Sequence, residues 1–218
     1  TRYISAIRSV LAEGPYLLAG WSFGGLVAFE MARQLEDRHE EVEFLALFDS
    51  FVVSRYEDRG GSLDPRIVAN GISYYLAQMQ LELPVPIDEL VGYEPLEQIH
   101  RVLEELKQQG VELPDEIASQ AENLLTLWEI NARAAQRYVP TKYAGRVTLF
   151  VAEENEDINP LAVAQQAAVW REVSDCEPNV VHLKASHQSL LLDASNVSDL
   201  AAHTQGFLDR IQRESGPQ

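Results

Sequence analysis

The sequence predicts an α/β fold in which a mostly parallel sheet is interrupted by an all-helical insertion. Three observations predict it. Short apolar runs at 16–19, 42–48, 147–151 and 180–183 have the length and the bounding turn residues of buried parallel strands. Stretches with helical periodicity separate them. From about residue 55 to residue 140 only helical periodicity remains, an insertion of about 80 residues where ordinary loops are far shorter.

Tyr3, Ile4, Ile7, Val10 and Leu11 recur at helical spacing and predict an amphipathic helix at the start. Gly14-Pro15 breaks it, since proline has no N–H with which to continue a helix. Tyr16-Leu17-Leu18-Ala19 is then a buried strand, and 20–25 a turn. Leu26, Val27, Met31, Ala32 and Leu35 carry a helix to about Glu36. Val42 to Phe48 is the next strand. Strand, helix and strand within about 35 residues form a βαβ unit with a right-handed crossover.

Inside the insertion, Gly60-Gly61, Pro84-Val85-Pro86, Gly92 and Gly110 punctuate the helices. Leu96, Ile99, Leu103 and Leu106 stripe one of them. Pro114-Asp115-Glu116 opens another, with Ile117, Ala121, Leu124, Leu125 and Trp128 on a face. Met79, Leu81, Leu83, Val85 and Ile87 are candidates either to line an apolar channel or to form the insertion's own core. Strand signals return at Val147 to Val151, a helix follows near 162–173, Val180 to Leu183 is a strand, and a last helix covers about 197–211.

The 218 residues fit one domain carrying an insertion, and the apolar share of 46% is enough for a full core. Lys and Arg number 17 against 34 Asp and Glu, a formal charge of −17. Such a balance argues against nucleic acid and anionic membrane as partners, because both require clustered cations. The single Cys176 excludes an internal disulfide and a cysteine-clustered zinc site. No apolar run spans a bilayer and the start does not read as a signal peptide, so a cytoplasmic setting is expected. With no initiator Met and a helix already under way, the chain is expected to be a piece of a longer polypeptide.

Gly20-Trp21-Ser22-Phe23-Gly24 matches G-x-S-x-G between a predicted strand and a predicted helix, the context in which that pattern carries a nucleophile. Glycines flank the serine because a sharp, strained turn leaves little room for side chains. The helix that follows aims its first N–H groups at negative charge forming beside Ser22, and Phe23 N–H is the candidate oxyanion donor. The duller alternative is a turn that only packs. G-x-G-x-x-G and the G-x-x-x-x-G-K-[ST] phosphate loop are both absent from this turn, which disfavours phosphate cradling.

A serine hydroxyl needs a base, and the base needs an orienting group. Of five histidines, His39 lies in a charged stretch, His100 and His203 on helices, and His182 within a strand. His187 follows the strand at 180–183 in a loop at the carboxyl edge, where open α/β sheets bind ligands. Asp49 and Asp157 compete to orient it. Asp49 directly follows the strand at 42–48, at the same edge as Ser22. Asp157 belongs to Glu153-Glu154-Asn155-Glu156-Asp157, a crowded acidic run that usually means a solvated loop. Asp49 is therefore favoured, although an aspartate there also suits a simple turn.

Tyr16 to Gly25, then Ala28-Phe29-Glu30-Met31-Ala32, then Leu45-Ala46-Leu47-Phe48-Asp49-Ser50, resemble the thioesterase domains that end nonribosomal peptide and polyketide synthases. Tyr138-Val139-Pro140 and Tyr143 to Phe150 are similar to the segment that re-enters the sheet after that family's lid. The resemblance implies an α/β-hydrolase fold with a helical lid at about 55–140 and a Ser22–His187–Asp49 triad. The implied substrate is an acyl or peptidyl thioester on the phosphopantetheine arm of a carrier protein, expected in the same polypeptide, with no cofactor or metal bound by the domain itself. The sequence departs from the family twice. Lys184-Ala185-Ser186 stands where a glycine often precedes the histidine, and the strands and loop that supply a second oxyanion N–H would precede Thr1. A free-standing esterase or lipase of the same fold, and a non-catalytic carrier-binding module, are the alternatives.

Overall fold

The computed structural model describes residues 2–52, 65–111, 113–154 and 160–214. In chain order the elements are α1 (Arg2–Arg8), β1 (Tyr16–Trp21), α2 (Phe23–Glu36), β2 (Val42–Phe48), α3 (Pro65–Gln78), α4 (Ile87–Leu90), α5 (Pro95–Gln108), α6 (Asp115–Arg137), β3 (Val147–Ala152), α7 (Pro160–Glu172), β4 (Asn179–Leu183), α8 (Ser189–Leu192) and α9 (Ala194–Glu214). They fall into two units, one formed by Thr1–Glu57 with Tyr138–Gln218, the other by Asp58–Arg137.

In the first unit β1, β2, β3 and β4 lie side by side in that order, every neighbouring pair parallel. The register aligns Trp21 with Phe48, Phe48 with Phe150, and Phe150 with Val181. All four strands therefore end along one edge. The ladder continues one step past two of them: Ser22 N–H donates to Phe48 O at 2.9 Å, and Asp49 N–H to Phe150 O at 2.8 Å. Ser22 and Asp49 are thus fixed on adjacent strand ends by the same bonds that hold the sheet.

Side chains alternate across a pleated strand, so β2 serves two layers. Phe44 and Ala46 join Phe150, Leu183 and Leu200 in a core packed by Phe207, Leu208 and Ile211 of α9. Leu45 and Leu47 alternate to the other face and are equally buried. Phe29 of α2 meets Trp170 of α7 with ring centroids 5.0 Å apart. Burial on both faces explains why β2 and β3 read as continuous apolar runs. β1, expected from its sequence to be a buried strand, alternates instead, with Tyr16 and Leu18 buried and Leu17 and Ala19 exposed.

The second unit holds α3 to α6. Val68, Ile99 and Leu125 form one apolar cluster, and Ala69, Leu76, Val85, Leu90, Val102 and Leu106 another. Met79, Leu81, Leu83 and Ile87 pack against the second cluster, and Val85 is part of it. Of the five candidates for a channel or a core, Val85 is buried in the core of the helical unit and the other four pack against it half-buried.

Three local expectations needed adjustment. α1 stops at Arg8 and of its residues only Ile4 is buried; Tyr3 is exposed, and so are Val10 and Leu11 in the turn that follows, where their N–H groups donate to Ile7 O. The four residues of α8 are too few to show periodicity in a sequence. The last helix starts at Ala194, where Asp193 accepts from Ser195 N–H at 2.9 Å. Among the described residues no helix is long and apolar enough to cross a membrane.

Candidate active site

The turn between β1 and α2 carries Ser22 at φ 55° and ψ −125°. A left-handed φ is unusual for a residue with a side chain and costs about 1–3 kcal/mol unless its surroundings enforce it. The glycines make that possible. A Cβ on Gly20 would fall onto the Gly24 carbonyl, and one on Gly25 onto Ser50 Oγ. Gly24 differs: a Cβ there meets no atom within 4 Å, so crowding explains two glycines of this turn and not the third. α2 starts at Phe23, whose N–H belongs to a helix's first turn and has no intrahelical carbonyl to bond.

Asp49 follows β2 at φ 42° and is completely buried. Its Oδ1 accepts the Ala152 N–H at 3.1 Å, and its Oδ2 lies 2.7 Å from His187 Nδ1. His187 Nε2 in turn lies 3.0 Å from Ser22 Oγ. A carboxylate facing Nδ1 fixes the proton on that nitrogen and leaves Nε2 as the acceptor toward the serine. The three residues that the sequence put on separate strand ends form one hydrogen-bonded line.

The histidine loop is closed by serines rather than by a glycine. Ser186 N–H donates to Ser189 Oγ at 2.9 Å and Ser189 N–H to Ser186 Oγ at 3.1 Å, a reciprocal arrangement like a capping box. Asn196 Nδ2 adds a bond to Ser189 Oγ at 3.1 Å.

Of the remaining candidates, His182 is exposed and pairs with Glu153 at 3.2 Å, while His39, His100 and His203 are exposed. Asp157 lies outside the described residues. Two residues not anticipated from sequence brace the turn after β2. Gln166 Nε2 and Trp170 Nε1, both on α7, donate to Ser50 O at 2.9 and 2.8 Å. More than a hundred residues separate them from Ser50, and no local pattern links such positions.

Comparison with known proteins follows the same lines. A sequence model of the family described as "Thioesterase domain" matches residues 1–208. Atromentin synthetase of Tapinella panuoides is 25% identical over 199 residues, covering 88% of this chain and 20% of that protein. The chain spans a fifth or less of the length of the curated relatives it matches first. Among solved structures, the NocB thioesterase domain in covalent complex with a fluorophosphonate nocardicin G analogue is 28% identical, with TM-score 0.58, over 95% of this chain and 72% of that one. A four-domain nonribosomal peptide synthetase bound to AMP and glycine superposes with TM-score 0.68 over 94% of this chain and 15% of that one. Its 23% identity makes that a likeness of fold alone. The parallel sheet with helices on both faces is the α/β-hydrolase fold of these thioesterases. The chain belongs to the thioesterase-domain family.

Proposed function

We propose that the chain releases an acyl or peptidyl group from the phosphopantetheine thioester of a carrier protein through an acyl-enzyme on Ser22. The observation that carries this is the line Asp49–His187–Ser22, with separations of 2.7 and 3.0 Å. His187 Nε2 takes the Ser22 proton as Oγ attacks the thioester carbonyl carbon. The buried Asp49 carboxylate stabilises the imidazolium so formed. Phe23 N–H, at the start of α2, bonds the oxyanion. When the tetrahedral adduct collapses, the C–S bond breaks, His187 returns its proton to sulfur, and the acyl group stays on Ser22. Water then gives the free acid, or a hydroxyl or amine of the acyl chain gives a ring: His187 accepts the attacking group's proton and returns it to Ser22 Oγ as the bond from the acyl carbon to Oγ breaks.

Membership of the thioesterase family, and the likeness to atromentin synthetase, of which the match covers a fifth, support a carrier-bound substrate and a carrier protein in the same polypeptide. The fluorophosphonate held covalently by the NocB domain supports an activated nucleophile in this family. Turnover of acyl-pantetheine thioesters and of matched oxoesters tests the reading. Ser22→Ala is expected to lower thioester turnover by at least about 10⁴-fold. Wild-type turnover by that variant overturns the mechanism, and a clear preference for oxoesters favours the esterase alternative.

A further inference from the structure

Trp21 occupies the first variable position of the G-x-S-x-G turn, and nothing in the reaction as written uses it. It is the last residue of β1, held in register opposite Phe48 and packed against the core of Phe44, Phe150 and Leu183. From there it makes two contacts with one partner 166 residues away. Its indole Nε1–H donates to the His187 carbonyl at 3.2 Å. Its ring lies against the His187 imidazole, with centroids 4.9 Å apart and planes 26° apart.

We propose that Trp21 is a positioning residue for His187, clamping both the loop backbone and the plane of the imidazole; this rests on the acyl-transfer reading of Ser22, His187 and Asp49. The need for it follows from geometry. His187 stands in a short loop, and Asp49 restrains the ring at Nδ1 only. Together with Ser22 at Nε2, the bond to Asp49 sets the line of the ring but leaves it able to tilt about that line, which turns the Nε2 lone pair away from Ser22. A flat surface against the ring face removes that motion. The N–H···O=C bond fixes the backbone from which the ring hangs. Because the indole belongs to a sheet strand next to Ser22, base and nucleophile are referred to the same rigid element. Offset-stacked rings at this separation attract one another, so the clamp also holds in the resting state.

The test is phosphonylation of Ser22 by an alkyl fluorophosphonate, resolving the inactivation rate constant from the binding constant. Trp21→Phe keeps a ring face and loses the N–H. Trp21→Leu loses both. Since a displacement of about 1 Å at a reacting group costs up to about 10²-fold, Trp21→Leu is expected to slow the inactivation step about 10- to 100-fold, with the binding constant unchanged. Trp21→Phe should fall between it and wild type, a partial rescue that a loss of packing alone would not produce in the chemical step. Either variant reacting at the wild-type rate, or a loss confined to the binding constant, overturns the proposal. If Trp21→Leu does not fold, Trp21→Phe decides alone on the same criterion. The imidazole proton resonances of His187 give a readout independent of chemistry. They are expected to move downfield when the indole is removed, and unchanged shifts refute the stacking. Phosphonylation of the wild-type chain at a residue other than Ser22, with the ring-stacking signature intact, would count against the acyl-transfer reading instead.

Discussion

Asp49 performs two tasks with one carboxylate. Oδ1 ties it to Ala152 N–H on β3, and Oδ2 faces His187 Nδ1. Asparagine preserves the shape and one acceptor, yet its NH₂ group can only donate. If that group faces Nδ1, the imidazole must present a bare nitrogen to it and carry its proton on Nε2, pointing at Ser22. The base is then blocked while the fold survives. Asp49→Asn is expected to lower turnover of acyl-pantetheine thioesters by about 10⁴-fold with little change in melting temperature. A loss below tenfold, together with a crippled Asp157→Asn, moves the acid to Asp157 and leaves Ser22 and His187 in place. The position of Asp49 was readable in the sequence because it ends an apolar strand. Its burial and its bond to Ala152 were not, since both depend on a strand that returns 98 residues further along.

Helix faces show where periodicity misleads. A leucine stripe on α5 picks Leu96, Ile99, Leu103 and Leu106, but the buried set is Pro95, Gln98, Ile99, Val102 and Leu106. The face is rotated so that Gln98 turns inward and donates to Pro65 O and Tyr93 O at 3.0 and 3.1 Å, while Leu96 is exposed. A buried glutamine with backbone partners is invisible to a hydrophobicity pattern. In the same unit Gly71 of α3 lies where a Cβ would come within 2.5 Å of the Trp128 ring of α6. Alanine normally favours a helix over glycine by about 1 kcal/mol. Here overpacking against the indole works the other way and costs about 1–3 kcal/mol. Gly71→Ala is therefore expected to lower stability in urea denaturation, and a gain refutes the close approach. On α2, Glu30 accepts from Tyr138 Oη at 2.9 Å and from Arg33 and Gln34. Burial alone would raise the Glu30 carboxyl, but the bonds from Arg33, Gln34 and Tyr138 more than offset it and hold it below its ordinary value of 4.5. A depressed carboxyl contributes stability that is present above the unfolded value and lost as pH falls through the folded one. Glu30→Gln should accordingly flatten the fall of melting temperature below about pH 4.5. An unchanged acid limb would show that this network contributes nothing.

The alternation of strand and helix, the helical insertion and the strand-end placement of Ser22, Asp49 and His187 are all consequences of local pattern, and that much is legible in the sequence. The bracing of Ser50 by Gln166 and Trp170 and the clamp of Trp21 on His187 come from segments far apart in the chain, so only the folded arrangement discloses them. Net charge belongs to neither category, because it acts on the chain as a body. At −17 the folded state confines repulsion that the unfolded chain relieves by expanding. Salt also weakens favourable pairs, such as Arg33 with Glu30 and Asp37 or Arg66 with Asp88, which pulls the other way. Magnitude decides the sign. Exposed pairs contribute about 0–1 kcal/mol each, and cations number half the anions, so even complete pairing leaves 17 negative charges without a partner. The Debye length shrinks from about 30 Å at 0.01 M to a few ångströms near 1 M, which removes the long-range repulsion almost entirely. The melting temperature at pH 7.5 is expected to rise by a few degrees between 10 mM and 500 mM NaCl, on the order of 1–2 kcal/mol for a chain of this length. A flat or falling dependence in calorimetry would mean that local ion pairs, rather than net charge, set the electrostatic stability of this fold.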